Sequence, residues 1–208
     1  MKAQTFVNRV YNLLSILYIC AKLNILFLLG TLLGGIIFGL GPSLIASHEL
    51  AKDYYQGKGN QTIAKFVRVY RQEFKRANSI FLPFELIVVL LLLDIRFIND
   101  LNWTQYSIVN NLFLSISILL MSYFTLIAPI YIFYEVDTKR YHRTLIQFAI
   151  RNLAPLLLAI IWIGFCVVVS FSLPGLIPFY SFGTWIFVNQ GIYLQTFERN
   201  ERLINGSD

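Results

Sequence analysis

LAPLLLAIIWIGFCVVVSFSL, residues Leu153 to Leu173, runs for twenty-one positions without a charged side chain. A helix crosses the hydrocarbon core of a bilayer in about 20 such residues, so the stretch reads as a transmembrane helix. Working outward, Leu112 to Tyr134 has no charge in twenty-three residues, and Ser79 to Leu93 has only Glu85 in fifteen. The whole chain is 57% apolar and 13% charged, with a mean hydropathy of +0.63. Soluble domains carry about 25% charged residues. The composition excludes that class.

Five spans are expected, at residues 23–40, 80–95, 108–134, 153–173 and 179–194, in one integral membrane domain that takes the whole chain. The fold class is therefore all-α, a polytopic membrane helix bundle with amphipathic cytoplasmic helices. The first span should stop at Gly41-Pro42, because proline disfavours helical geometry in the residue before it. Residues 6–21 are apolar enough to extend that span, as an interfacial helix or as part of one long tilted one. The breaker-rich turn from Leu173 to Pro178 is short enough to force a hairpin between the last two spans.

Charge sets the expected orientation. Seven basic residues fall between Pro42 and Ser79, and four more (Lys139, Arg140, Arg143, Arg151) lie between Glu135 and Asn152. Cytoplasmic loops collect Lys and Arg, so both loops read as cytoplasmic, with the N-terminus outside and the C-terminus inside. The formal charge of +6 is thereby absorbed by topology, and nucleic-acid binding is not expected.

The loop at 42–79 carries its own pattern. Ile63, Phe66, Val67, Tyr70, Phe74 and Ala77 recur at spacings of three and four, while Lys65, Arg68, Arg71, Lys75 and Arg76 fall largely on the other side. That is an amphipathic helix with a basic face, suited to the anionic inner leaflet or to a partner's cytoplasmic surface. A turn at Gln56-Gly57-Lys58-Gly59-Asn60 precedes it, and a shorter helix from Ser43 to Tyr55 comes before the turn.

Within the apolar runs, Gly30, Gly34, Gly35 and Gly39 have the four-residue spacing that lets helices approach closely. Gly41 and Pro42 should end that helix. Glu85, Lys22 and Asp94 are the candidate functional groups at membrane depth or its edge, because ionisable side chains there are costly. Asp94 and Asn24 are the expected neighbours of Lys22. Asn189 and Gln190 suit contacts between helices better than a substrate. No enzyme is expected. His48-Glu49 opens like a zinc-protease helix, but Lys52 stands where the second histidine belongs, and no nucleotide-binding or nucleophile motif occurs. Neither a metal nor a cofactor set is present in the sequence.

Several short stretches, taken together, carry a resemblance. They are Phe6-Val-Asn-Arg-Val-Tyr-Asn-Leu-Leu14, Leu23-Asn-Ile-Leu-Phe27, Gly39-Leu-Gly-Pro-Ser43, Phe66-Val-Arg-Val-Tyr-Arg-Gln-Glu-Phe-Lys75 and Phe197-Glu-Arg-Asn200. In this order the chain resembles the YesL-like family, small bacterial integral membrane proteins whose domain has no assigned function. The resemblance implies the bacterial cytoplasmic membrane and a place beside ABC-type sugar transporters. It supplies no catalytic residues. The expected function is an accessory or assembly component of carbohydrate transport. The alternatives are a small solute transporter in its own right, using Glu85, or a membrane-embedded regulator. Lipid, transporter subunits and further copies of the chain are the expected partners.

Overall fold

The computed structural model describes residues 2–59, 61–100, 106–134 and 140–205. Among these residues the chain forms seven α-helices: α1 (Lys2–Leu33), α2 (Ile37–Tyr55), α3 (Ile63–Asp100), α4 (Tyr106–Phe133), α5 (Tyr141–Arg151), α6 (Leu153–Ser172) and α7 (Phe182–Asn205). A 3-10 turn (Pro174–Leu176) and a π turn (Ile177–Ser181) make the expected hairpin before α7. Four helices contain segments long and apolar enough to cross a membrane: Val7–Leu33, Ile63–Asp94, Asn111–Phe133 and Leu153–Ser172. The protein is a helical, multi-pass membrane bundle.

Several boundaries differ from the sequence expectation, each for a local reason. The first helix ends at Leu33 and not at Gly41-Pro42. Gly35 (φ 70°) and Ile36 (φ 71°) turn the chain in the left-handed region, which is rare for a branched residue. Glycine, at home there, leads the turn. Gly39, Gly41 and Pro42 then lie inside α2. The expected basic loop helix and the second span are one continuous helix, α3, with Pro83 in its interior. The helix that holds the fifth expected span, α7, is long enough at 24 residues but is not among the four apolar enough to cross. Asn189 and Gln190 interrupt the apolar run of α7, and both are buried.

Prolines inside helices leave a carbonyl unpaired four residues earlier, and lipid offers it no water. Two asparagines answer this. The Asn78 amide donates to Phe38 O, the carbonyl freed by Pro42, at 3.0 Å. The Asn189 amide donates to Thr125 O, the carbonyl freed by Pro129, at 2.9 Å. Each asparagine comes from a different helix than the proline, so each repairs a backbone defect and fixes a helix pair at once.

The turn at Gly34–Ile36 sends α2 back along α1. Ser15 and Tyr54 hydroxyls meet at 3.0 Å, and the Gly30 and Gly34 sites abut Ser43 and Gly39 so closely that an added Cβ would collide. α7 also runs against both: Phe182 packs at a tilt on Phe27 of α1, 5.1 Å between ring centroids, while Phe187 lies beside Tyr54 and Tyr55 of α2. The start of α1, the α2–α3 connection and the end of α7 therefore share one end of the molecule. The expectation that the N-terminus and the basic loop face opposite sides fails, because α2 retraces α1 and does not simply leave the bundle.

Candidate functional site

The centre of the bundle is polar, and α2, α4 and α7 build it. His48 and Asn189 are fully buried. His48 Nδ1 lies 3.0 Å from Leu44 O, one turn earlier. That carbonyl can only accept, so Nδ1 carries the proton and Nε2 is left as an acceptor. The Asn189 amide sits 3.3 Å from Nε2 and donates its other hydrogen to Thr125 O. The Thr125 hydroxyl in turn contacts Tyr193 OH at 3.2 Å. One asparagine thus ties three helices together. Trp185 packs edge-on to the His48 ring at 5.8 Å. Ser47 Oγ, Trp185 Nε1 and both ends of the Gln190 amide are buried with no partner among the described residues.

One turn beyond His48, charges gather. Lys65 at the start of α3 pairs with Asp53 and reaches Glu49 at 3.4 Å. Lys52 lies 3.8 Å from Glu49 and donates to Ile132 O at 3.1 Å. The last carbonyls of a helix lack partners and carry partial negative charge, so Lys52 caps α4. Asp53 is buried, and a buried carboxylate is costly without a cation. Lys65, expected on the outer basic face, is therefore occupied inside the protein.

A second polar device joins α1 to α7. Asn24 Oδ1 accepts from the backbone N–H of Phe182 and Gly183 at 2.9 and 3.0 Å, and its amide donates to Ile177 O at 3.0 Å. The π turn leaves these groups out of step, and the side chain bridges the gap as a peptide would. Gly183 is required here. A Cβ on it would lie 1.9 Å from Cys20 O.

The remaining expected residues are dispersed. Lys22 sits over the Tyr18 ring at 5.6 Å, Asp94 is exposed, and no ion pair joins them among the described residues. Asn24 serves α7 and not Lys22. Glu85 lines an apolar groove of about 460 Å³ between α3 and α4. Arg68, Arg71 and Lys75 are exposed on α3, while Arg76 lies over Tyr131 at 4.9 Å. Phe66 and Ala77 are buried on the opposite side, but Ile63, expected there, is exposed. Gly30, Gly34, Gly39 and Gly41 make close contacts within the chain, whereas Gly35 faces open space.

Sequence reading missed the α2 core and α5. The second has a signal: Tyr141, Leu145 and Phe148, its buried face, recur at spacings of four and three inside the basic loop. The first has none in hydropathy, since serine, histidine and aspartate on α2 look like loop residues. No group of three or more His, Cys, Asp or Glu that could hold a metal occurs among the described residues.

Residues 20–95, which include all of α2, match the model of a family described as "Protein of unknown function, DUF624". The chain is 29% identical over 163 residues to the uncharacterized protein YesV of Bacillus subtilis (strain 168), covering 77% of this chain and 78% of that one. It is 26% identical over 166 residues to the uncharacterized protein YteU of the same organism, covering 77% and 72%. No solved structure matches. The chain is thus similar over residues 20–95 to a family of unknown function, and over 77% of its length to each of two uncharacterized proteins.

Proposed function

We propose that this protein is a non-catalytic accessory component of a carbohydrate importer of the ABC type, held to it through the basic side of α3. The observation that carries the reading is the row Arg68, Arg71 and Lys75, exposed at spacings of three and four. No described residue forms an ion pair with any of the three. The neighbouring Lys65 is spent on Asp53, so this outer row is what remains for a partner. Charged rows of this kind steer association and set register with an oppositely charged surface. The resemblance to the YesL-like family supports the choice of a sugar importer as that partner.

The same row supports an orientation. It belongs to α3, whose start adjoins the end of α2, and that end of the molecule also holds the start of α1 and the last turns of α7 with Arg202. By the positive-inside rule this end is cytoplasmic, with the start of α1 and the end of α7 on that side of the plasma membrane.

A photoactivatable cross-linking residue at position 71, compared with one at position 93, tests the reading in intact cells. A transporter subunit trapped from position 71 and absent from position 93 is the expected result. Adducts with lipid alone at position 71 would reduce α3 to a helix on the inner leaflet and end the accessory reading. Reversing Arg68, Arg71 and Lys75 to glutamate should also strip the importer from the purified protein.

A further inference from the structure

We infer that the groove between α3 and α4 is a binding site for a single-chain amphiphile with a cationic amine head, the amine being held by Glu85. The groove is lined by Ile37, Leu40, Val88, Leu92, Leu120 and Phe124, with Glu85 and Ser117 as its polar residues. Its volume of about 460 Å³ lies in the range of small-molecule sites, which are typically apolar with a few placed polar groups. Ser117 is already engaged, its hydroxyl donating to Phe113 O at 2.8 Å. Glu85 is not: its Oε1 is buried without a hydrogen-bond partner among the described residues.

Glu85 is half-buried, and its buried oxygen is costly as a charge unless the group is protonated or paired; a cationic ligand would hold it in the charged form. Among the described residues no lysine, arginine or histidine lines the groove. A metal ion is a poor candidate, for one carboxylate among aliphatic walls cannot provide the six to eight oxygen ligands calcium takes. An ammonium group needs only charge and a few acceptors, and an attached alkyl chain fits the apolar walls. An alcohol of the same chain length can donate one hydrogen bond but brings no charge, and an anion is repelled by the carboxylate. The inference concerns binding, requires no passage of a solute, and stands apart from the docking of α3 on a partner.

The test uses the full chain in nanodiscs of zwitterionic lipid with a diazirine-bearing analogue of dodecylamine. Labelling should fall on residues 84–92 and 117–124. Unlabelled dodecylamine should displace it, and dodecanol or dodecyl sulfate should not. Glu85→Gln should weaken competition by dodecylamine about tenfold, the loss expected for a charge-assisted hydrogen bond. Equal displacement by amine and alcohol, or labelling spread evenly over the lipid-facing helices, would overturn the inference. Both of these outcomes are read on the unaltered protein, so they hold even if the variant fails to fold.

Discussion

Helices α2 and α6 are nearly equal in length, nineteen and twenty residues, and are built on opposite rules. α6 contains no charge, and only Pro155, Leu156 and Ala159 are buried. α2 carries His48, Glu49, Lys52 and Asp53, and twelve of its residues are buried. In water the apolar helix would be inside and the charged one outside. Here lipid solvates α6, while the polar groups of α2 can be satisfied only by other helices. The bundle is organised by its polar centre, and the apolar helices insulate it.

The comparison predicts where substitution is fatal and where it is tolerated. The largest effect should come from Gly183→Val. A Cβ there meets backbone, Cys20 O at 1.9 Å and Asn24 N at 2.7 Å, so no rotamer relieves the clash and the Asn24 bridge must open. A loss above about 4 kcal/mol is expected, seen as no monodisperse protein in size-exclusion chromatography. Gly164→Val on α6 faces open space and should leave the elution profile unchanged. Two similar profiles would mean that α1 and α7 are not packed as closely as described.

The asparagine repairs should cost less. Asn189→Ala leaves both Thr125 O and His48 Nε2 without a donor, and Asn78→Ala leaves Phe38 O. One unsatisfied buried group costs about 1–3 kcal/mol, so Asn189→Ala should lower the melting temperature more. Each loss should shrink when the proline is also removed, since Pro42→Ala or Pro129→Ala gives the carbonyl its own helical N–H. A cycle of the two single variants and the double variant measures this coupling. Strict additivity would show that the asparagines serve some purpose other than the proline sites.

These particulars also show what could be read in the chain. The apolar spans of α4 and α6 were legible to within a few residues, because lipid-facing helices declare themselves by hydropathy. The reversal at Gly34–Ile36 was not, since Gly41-Pro42 offers the stronger local signal. Proline broke nothing there, because Asn78, forty residues away from Phe38, supplies the missing donor. The polar core was legible only in part. Asn189 could be marked as a contact between helices, but its partner His48 lies 141 positions away and carries no signal of that role in its own neighbourhood. Glu85 was legible as a lone carboxylate in an apolar run, but its groove exists only once α4 packs beside α3.

The smallest expected effect is also the most direct check on the contrast between the two helices. Leu158 on α6 is 57% exposed, whereas Leu50 on α2 is fully buried. Truncating Leu158 to alanine removes methylenes that face lipid in the folded bundle and also in the separated helix, so neither packing nor transfer changes much. The cost should stay within about 0.5 kcal/mol. The same change at Leu50 leaves a cavity in the core. With little transfer energy to lose between protein and lipid, the cavity dominates, and a cost near the lower end of the usual range, about 2 kcal/mol, is expected. Melting curves of the two variants in one detergent decide the matter. If Leu158→Ala proves as damaging as Leu50→Ala, α6 is covered by protein, and the face described here as solvated by lipid is a contact with another chain.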